Sequence, residues 1–435
     1  MTTHSHLKFR KIINDLKRRP EDAATDLKVS RKKIENILNG KEEIEFDLIK
    51  KAVNVWPVNY SDFFHIEDDT KNGYKIFKNS DSNTSQRTMN RGGKAYYLYK
   101  DTVMSKVSSF RPEWIQQLEV VDDLDPENKN IKFNNGHFLH QFTYFVGPVN
   151  FYYMDGNKKC CSAMNTGDSM YISPYVPHSF ATRKNPKKEL GHILALTYTD
   201  KIDAECLNEL TAIGYDLAKN FKLDLNSETE AFKSILQYQM KTSSLTRENL
   251  IEKINIDIEE LFKKNAIPDI KDLKKIAELL NINVRDLVPP IKECEVKIQK
   301  YKNNNSWHFP SNKAKKYLFV ELTSLPQLPS SKAYELSILT DDENELFFEV
   351  PSHQYIYNIG ETQCSLKIGN SIYENLEPGD SLYIKPNLKH KFIKKGKLLV
   401  LRIGGRISGD TLYQLSMISD EKLKRIVDDN KPWFN

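Results

Sequence analysis

Three side chains in the first half of the chain have the types and the spacing of a metal site. They are His137, Gln141 and His178, an H-x3-Q pattern followed at a distance by a second histidine. Side chains alternate between the two faces of a β-strand, so we expect His137 and Gln141 to share a face and His140 to point away. Two imidazoles and one oxygen ligand leave positions open on Fe(II), as in non-haem iron oxygenases. The third ligand is usually a carboxylate, and here it is an amide.

The segment that ends in the last of these histidines occurs twice. The paired segments are GDSMYISPYVPH at Gly167–His178 with GDSLYIKPNLKH at Gly379–His390, and HQFTYFVG at His140–Gly147 with HQYIYNIG at His353–Gly360. Each GDS segment predicts a turn, a short strand and a proline-stiffened return that presents a histidine. The second copy has Val350 where the first has His137, so only the first copy predicts a complete metal site.

A structural interpretation competes with the metal site. An isolated histidine or glutamine in a strand is more often a hydrogen-bonded core residue than a ligand. Without the repeat, that interpretation would be preferred. Three metal-capable groups at this spacing, the last of which ends a repeated barrel motif, favour the metal site instead.

Length, charge and cysteine content limit the class of protein. A chain of 435 residues is too long for one ordinary core and predicts two to four domains. The net charge of +5 is too small to indicate nucleic-acid binding and suits an anionic small substrate. Five cysteines without C-x-x-C spacing predict reduced thiols. The sequence lacks a signal-like apolar N-terminus and a long apolar run, which predicts a cytoplasmic protein without a membrane partner.

Helical segments precede both copies of the repeated motif. Residues 8–64 carry apolar side chains at helical spacing, with Ser30 as the N-cap of one helix and Gly40 as its stop, and residues 231–290 repeat the pattern. The sequence therefore predicts an α+β chain in which a helix-turn-helix bundle followed by a barrel occurs twice. The predicted boundaries are 1–67 for the first bundle, 68–94 for a partly ordered connector, 95–225 for the first barrel, 226–292 for the second bundle and 293–435 for the second barrel.

A further group of residues makes a family resemblance specific. Arg91 precedes the tyrosine-rich stretch at Tyr96–Tyr99, and Asn134 precedes the H-x3-Q pattern. Taken alone, the tyrosines would be ordinary strand residues. Combined with the GDS segment behind an Xre-like helical bundle, they resemble the phosphonate-processing cupin oxygenases over nearly the whole chain. The resemblance implies a cupin (double-stranded β-helix) fold for both barrels, Fe(II) as cofactor, O2 as co-substrate and a small phosphonate as substrate.

The resemblance also implies which residues form the site. The matching positions are His137, Gln141 and His178 for iron, and Lys17, Arg91, Tyr99, Asn134 and Arg402 for the phosphonate. A dianion needs several charge-assisted hydrogen bonds, which arginines donate in planar pairs. Lys17 has an open alternative, because Arg18 and Arg19 adjoin it and a solvated helix end would look the same. No catalytic side chain is implied beyond the iron-dependent reaction with O2.

Members of this family differ in the third ligand. The epoxidase member has Glu at the position of Gln141, and the dioxygenase member has Glu six residues before the final histidine, where this chain has Ile172. The combination of Gln141 and Ile172 resembles the member that splits the C–C bond of 2-hydroxyethylphosphonate with O2 into methylphosphonate and bicarbonate or CO2. The alternative within the family yields hydroxymethylphosphonate and formate.

A transcriptional regulator is the alternative from a different class. Ser30–Lys33, at the start of the predicted recognition helix, is basic enough to contact DNA. The corresponding Thr246–Asn249 of the second bundle is less basic, and sensing does not need a complete iron triad. The sequence therefore favours an enzyme and does not favour a nucleic-acid partner, and the architecture of the resembling proteins implies a homo-oligomer.

Overall fold

The chain mixes helices and sheets, as predicted for an α+β protein. The structure is a computed structural model that describes residues 5–108, 110–263, 266–290, 294–341, 346–428 and 431. It divides into two compact units. The first contains the described parts of Met1–Lys75, Met104–Ser109 and Gly404–Asn435, and the second contains those of Ile76–Val103 and Phe110–Ile403.

Helices open the chain, separate the two sets of strands and close the chain. The α-helices of the described residues are α1 (Ser5–Asp15), α2 (Pro20–Leu27), α3 (Arg31–Leu38), α4 (Phe46–Val55), α5 (Asn79–Thr84), α6 (Ala204–Ile213), α7 (Tyr215–Ala218), α8 (Glu228–Ser243), α9 (Arg247–Ile254), α10 (Ile258–Lys263), α11 (Ile270–Leu280), α12 (Asp410–Ser416) and α13 (Asp420–Asp428). Short 3-10 helices occur at Tyr60–Phe63, Lys219–Phe221, Val284–Leu287 and Tyr301–Asn303. None of these helices is both long and apolar enough to cross a membrane, within the part of the chain described.

The two helical groups have separate cores. In the first, Phe9, Ile34 and Phe63 are buried together. In the second, Phe232 and Leu250 belong to another buried cluster. The predicted N-cap of α3 is confirmed, because the Ser30 hydroxyl accepts a hydrogen bond from Lys33 N at 3.2 Å. The predicted stop is also confirmed, since α3 ends at Leu38 and Gly40 has a φ of 67°.

The strands form two repeated sets. They are β1 (Tyr74–Phe77), β2 (Arg87–Arg91), β3 (Lys94–Asp101), β4 (Arg111–Gln117), β5 (Val120–Val121), β6 (His140–Val146), β7 (Val149–Asp155), β8 (Lys158–Met164), β9 (Ser169–Ile172), β10 (His178–Arg183), β11 (His192–Tyr198), β12 (Val296–Gln299), β13 (Ser306–Pro310), β14 (Lys315–Glu321), β15 (Ser331–Ile338), β16 (His353–Asn358), β17 (Cys364–Ile368), β18 (Ile372–Leu376), β19 (Ser381–Ile384), β20 (His390–Ile393) and β21 (Gly396–Ile403). We call residues 87–198 the first β-repeat and residues 306–403 the second β-repeat.

Each β-repeat consists of one large and one small sheet. In the first β-repeat the strand orders are β12-β9-β6-β11-β4-β3-β2 and β5-β10-β7-β8, and in the second they are β1-β19-β16-β21-β15-β14-β13 and β18-β17-β20. The two sheets of the first β-repeat share a core, in which the ring of Phe145 lies 6.4 Å from that of Phe151 and 6.0 Å from that of Phe180. One strand is exchanged in each direction, because β12 precedes the second β-repeat yet pairs with β9, and β1 precedes the first yet pairs with β19.

The aspartate of the first GDS motif holds the chain that enters from the second β-repeat. Asp168 is buried and accepts hydrogen bonds from Tyr301 N at 2.8 Å and from Lys300 Nζ at 3.1 Å, just beyond β12. It also closes its own turn by accepting from Asn165 N at 3.0 Å. A buried carboxylate is tolerated only when it is paired and hydrogen-bonded, so the exchanged strand and the GDS turn stabilise each other.

Asp380 of the second GDS motif makes the same set of contacts in the other direction. It is buried and accepts from Asn79 N at 2.8 Å and from Lys78 Nζ at 2.9 Å, just beyond β1. Glu377 N closes the local turn at 3.0 Å. The matched bonds make the GDS motif an anchor for the exchanged strand, a role that the sequence did not predict.

The glycine and the serine of the motif also face the other repeat. Gly167 has a φ of 91°, and a Cβ there would lie 2.6 Å from the ring of Tyr301. Ser169 Oγ accepts from Thr323 N at 2.9 Å. The second motif repeats both contacts. A Cβ at Gly379 would lie 2.7 Å from the Asn79 side chain, and Ser381 Oγ accepts from Val103 N at 2.8 Å.

Two predicted boundaries differ from the structure. Residues 68–94, predicted as a partly ordered connector, hold β1, α5 and β2, because β1 and the residues after it contact the second β-repeat while β2 pairs with β3. The last strand of the second β-repeat ends at Ile403, and the described part of Gly404–Asn435 groups with the N-terminal helices although 293–435 was predicted as one barrel. The boundary predicted at 292/293 lies outside the described residues.

Removal of the Asp380 charge tests whether this carboxylate anchors the exchanged strand β1. Asp380→Asn should lower the free energy of unfolding by about 1.5–3 kcal/mol, since Lys78 loses its charge-assisted bond to a buried acceptor. Chemical denaturation measures the change. The matched control is Asp216→Asn, which breaks a solvent-exposed pair with Lys219 and should change stability by no more than about 1 kcal/mol. Equal effects of the two substitutions would contradict the anchoring role.

Candidate active site

The structure brings the three predicted metal ligands together inside the first β-repeat. His137 Nε2 lies 2.9 Å from Gln141 Oε1, and the ring centroids of His137 and His178 are 5.3 Å apart. Gln141 is 4% exposed and His178 is 5% exposed, so both are shielded from bulk water. All three side chains belong to the same compact unit.

The loop before β6 places the first histidine. The sequence predicted a strand through His137, but β6 begins at His140. Gly136 has a φ of 73°, and a Cβ there would lie 2.4 Å from the Tyr175 backbone, so only glycine allows this close approach. Tyr175 N donates to His137 O at 2.8 Å and fixes the loop. His140 points away as predicted and has its Nδ1 at 2.6 Å from the Tyr171 hydroxyl.

Backbone carbonyls set the tautomers of both histidines. His137 Nδ1 lies 2.8 Å from Leu139 O, and His178 Nδ1 lies 2.8 Å from Val176 O. A carbonyl only accepts, so Nδ1 carries the hydrogen and Nε2 carries the lone pair in each neutral ring. Burial lowers the pKa of His178 to about 4, which keeps this imidazole neutral at physiological pH. Neutral imidazoles with inward lone pairs are the form that binds metals.

The glutamine is oriented by a residue that sequence reasoning missed. Gln141 Nε2 donates to Thr143 Oγ1 at 2.8 Å, and this bond turns Gln141 Oε1 towards His137. A signal was present in the sequence, because HQFT of the first copy becomes HQYI in the second and places Ile356 at the position of Thr143.

These residues fit a metal ion. The two atoms that face each other at 2.9 Å, His137 Nε2 and Gln141 Oε1, are both acceptors, and a cation between them removes their repulsion. Neighbouring ligands about 2.1 Å from a metal are themselves roughly 3 Å apart, which agrees with this separation. Among the described residues, no group of three or more His, Cys, Asp or Glu side chains is arranged to hold a metal ion. The third donor of this site is therefore an amide.

Asn134 lies directly against the second histidine. Its Oδ1 accepts from His178 N at 2.8 Å and from Gly136 N at 3.0 Å, and its Nδ2 lies 3.1 Å from His178 Nε2. The side chain thus joins the loop that carries His137 to the strand that carries His178. Its amide nitrogen remains directed at the metal-binding face.

Three tyrosines of strand β3 have different surroundings. The hydroxyls of Tyr96 and Tyr97 lie 3.1 and 3.2 Å from Ser179 Oγ, so they hold β3 to β10. Tyr99 instead packs its ring against the guanidinium of Arg87 at 5.4 Å. Burial raises the pKa of Tyr99 to about 12, which keeps its hydroxyl protonated and able to donate.

Arg91, at the end of β2, faces the same strand. Its guanidinium lies 4.8 Å from the ring centroid of Tyr97, and its Nη1 donates to Lys132 O at 3.0 Å. The ring and the carbonyl hold the planar group in place and leave further N–H donors for an anion.

Two further residues, Arg402 and Lys17, were predicted to contact the phosphonate. Arg402 is in β21, where its Nε donates to Gln354 Oε1 at 3.4 Å and its guanidinium lies 5.2 Å from the Tyr334 ring. The structure does not bring it to the first cluster, because these partners all belong to the second β-repeat. Lys17 follows α1 with a φ of 54° in the compact unit of the N-terminal helices, and its role at a substrate stays a prediction.

Comparison with known proteins shows which family the chain belongs to. No protein-family model matches the chain. Methylphosphonate synthase of Nitrosopumilus maritimus (strain SCM1) is 44% identical over 438 residues, which cover 98% of this chain and 94% of the relative. The chain belongs to the methylphosphonate synthase family. The predicted resemblance to phosphonate-processing non-haem iron enzymes is thereby confirmed.

Solved structures of related enzymes agree with this family. Streptomyces albus HEPD with 2-hydroxyethylphosphonate and Fe(II) bound is 33% identical, covers 100% of this chain and 99% of its own, and has a TM-score of 0.92. A 2-hydroxyethylphosphonate dioxygenase variant has a TM-score of 0.75 at 16% identity over 96% of this chain and 99% of its own, which supports the fold alone. Members of the methylphosphonate synthase family are non-haem iron oxygenases, and the predicted enzyme class is confirmed.

The hydrogen bond to Gln141 can be removed without a change of shape. Thr143→Val should lower Fe(II) affinity by about 10–100-fold, because the amide loses the partner that orients its oxygen. Anaerobic calorimetric titration of Fe(II) measures the affinity. The matched control is Ile356→Thr at the same position of the second β-repeat, which should leave Fe(II) binding unchanged. An unaltered affinity in Thr143→Val would show that this bond does not position the ligand.

Proposed function

We propose that the chain catalyses the Fe(II)- and O2-dependent cleavage of the C–C bond of 2-hydroxyethylphosphonate to methylphosphonate and bicarbonate or CO2. The identity of 44% to a methylphosphonate synthase supports this reaction. The observation that carries it in the structure is the pairing of Gln141 with Ile172, which are opposite each other in β6 and β9. The carboxylate ligand of the dioxygenase member has no counterpart at Ile172.

Ile172 adds no charge to the site. Ile172 is fully buried and lies between Gln141 on one side and Val296 of the exchanged strand β12 on the other. An amide and two neutral imidazoles do not offset the charge of a metal dication. The uncompensated charge favours an anionic substrate at the open positions.

Three residues around the cluster are proposed to hold the phosphonate. Arg91 contributes planar charge-assisted donors, and Tyr99 and Asn134 contribute neutral ones. Together they would orient the substrate so that its hydroxyl-bearing carbon lies next to the metal. Fe(II), when bound by His137 and its two partners, supplies the activation of O2.

We also infer that each β-repeat is a cupin barrel and that the helical groups before them are Xre-like helix-turn-helix bundles. The pairing of a large with a small sheet in both β-repeats supports the first assignment. The separate cores of the two helical groups support the second. The proposed partner is a small phosphonate, with assembly into a homo-oligomer as in the resembling proteins.

The products of one reaction test the proposed function. Protein reconstituted anaerobically with Fe(II) is mixed with 2-hydroxyethylphosphonate and O2, and the products are followed by phosphorus and carbon NMR. The proposal predicts methylphosphonate together with bicarbonate or CO2. Hydroxymethylphosphonate with formate would instead show that the chain catalyses the dioxygenase reaction. The similarity to HEPD makes this the alternative to distinguish. Absence of turnover with iron bound would contradict both reactions.

The proposed phosphonate donor can be tested separately. Arg91→Leu should raise the KM for 2-hydroxyethylphosphonate by about 10–100-fold, because it removes charge-assisted hydrogen bonds to the anion. Steady-state O2 uptake against substrate concentration gives KM and kcat. Arg31→Leu, which alters an exposed pair with Glu35 in the helical unit, is the control and should leave both unchanged. An unchanged KM in Arg91→Leu would remove Arg91 from the proposed site.

A further inference from the structure

The second β-repeat keeps two of the three side chains that form the first site. Gln354 is opposite Ile384 in the sheet, as Gln141 is opposite Ile172. His390 begins β20 and has its Nδ1 at 2.7 Å from Leu388 O, so its Nε2 also carries the inward lone pair. The Nε2 atoms of Gln354 and His390 are 3.4 Å apart.

The third position differs, and an arginine from another strand contacts the glutamine. Val350 stands where the first copy has His137. In the sheet, Gln354 pairs with Arg402, whereas Gln141 pairs with Thr197. The Arg402 side chain reaches back to Gln354, with its Nε 3.4 Å from the amide oxygen. A permanent cation thus contacts the same glutamine that, in the first β-repeat, belongs to the metal site.

Aromatic rings surround this guanidinium. Its carbon lies 5.2 Å from the ring centroid of Tyr334, 5.6 Å from that of Phe319 and 6.0 Å from that of Phe348. Burial lowers the pKa of Arg402, because removal from water disfavours the charged form. Cation–π contacts offset part of that cost but supply no negative charge.

No anion within the described residues balances this charge. Arg402 forms no ion pair with any described carboxylate, and neither does Lys332. Lys332 is opposite Arg402 in β15, so the two side chains leave the sheet on the same face. Both side chains are half-buried. Charges shielded from water are usually paired in proteins, so two neighbouring cations without a carboxylate indicate a ligand that carries two negative charges.

We propose that the second β-repeat binds a dianionic phosphorus oxyanion, phosphate or phosphonate, through Arg402 and Lys332. The planar guanidinium can donate two parallel bonds to such a group. Arg402 is partly exposed, so a small anion can reach it. This site is separate from the metal site, because its residues belong to the second β-repeat.

Trp307 provides a reporter next to the site. It is 40% exposed and stacks on Phe319 at a centroid distance of 5.7 Å, and Phe319 in turn contacts Arg402. The full-length protein is titrated with inorganic phosphate and, separately, with methylphosphonate, with anaerobic Fe(II) present. Binding is followed by calorimetry and by tryptophan fluorescence. The anion that binds more tightly shows whether the site takes a free phosphate or a phosphonate.

Variants decide whether Arg402 holds the anion. In His178→Ala, which lacks a complete metal site, we expect one anion per chain with a fluorescence change. Wild type should show the same fluorescence-linked binding, in addition to the anion bound at the iron. Arg402→Leu should weaken that binding by at least 10-fold and should be no less stable than wild type without anion, because it removes a half-buried charge that has no described carboxylate partner. Trp307→Phe should abolish the fluorescence change and retain the calorimetric binding.

Three results would overturn the proposal. The first is equal anion binding by wild type and Arg402→Leu. The second is loss of the binding in His178→Ala, which would move the anion to the first site. The third is absence of any anion binding with a fluorescence change in wild type at millimolar concentrations. If Arg402→Leu does not fold, Arg402→Lys keeps the charge without the planar fork and should still weaken binding several-fold.

Discussion

The reciprocal exchange of strands, anchored by two buried aspartates, is the constraint on which the rest of the structure depends. Asp168 and Asp380 each bind the chain that enters from the other repeat with a backbone and a lysine hydrogen bond. The exchange also reaches the active site, because β12 pairs with β9 and thereby confines Ile172 between Val296 and Gln141. Neither β-repeat completes its large sheet without the other.

Within this frame, both β-repeats present a glutamine and a histidine to the same kind of position. The atoms that face each other include lone pairs that a donor or a cation can satisfy. In the first β-repeat, His137 completes a set that suits a metal ion, and in the second, Arg402 brings a fixed positive charge to Gln354. In the second copy Val350 replaces the histidine, and a cation from another strand, Arg402, contacts the glutamine instead.

The sequence predicted the metal cluster because its signals are local. Motif spacing was enough to group His137 with Gln141, although His137 lies in the loop before β6 rather than in a strand, and His140 points away as expected. The role of the GDS motif could not be predicted, since Asp380 and Lys78 are about 300 positions apart and no local pattern pairs them. The same limit applies to the part of 68–94 around β1, where Lys78 and Asn79 bond to Asp380 of the second β-repeat. It also applies to Arg402, whose surroundings come from separate strands.

Iron content per chain is the measurement that tests most directly whether the two repeats hold different cations. Wild type, His178→Ala and His390→Ala are reconstituted anaerobically with Fe(II), freed of unbound metal and analysed for iron and protein. The account predicts one iron per chain in wild type and in His390→Ala, and close to none in His178→Ala. Two irons per chain in wild type, or loss of iron in His390→Ala alone, would contradict it.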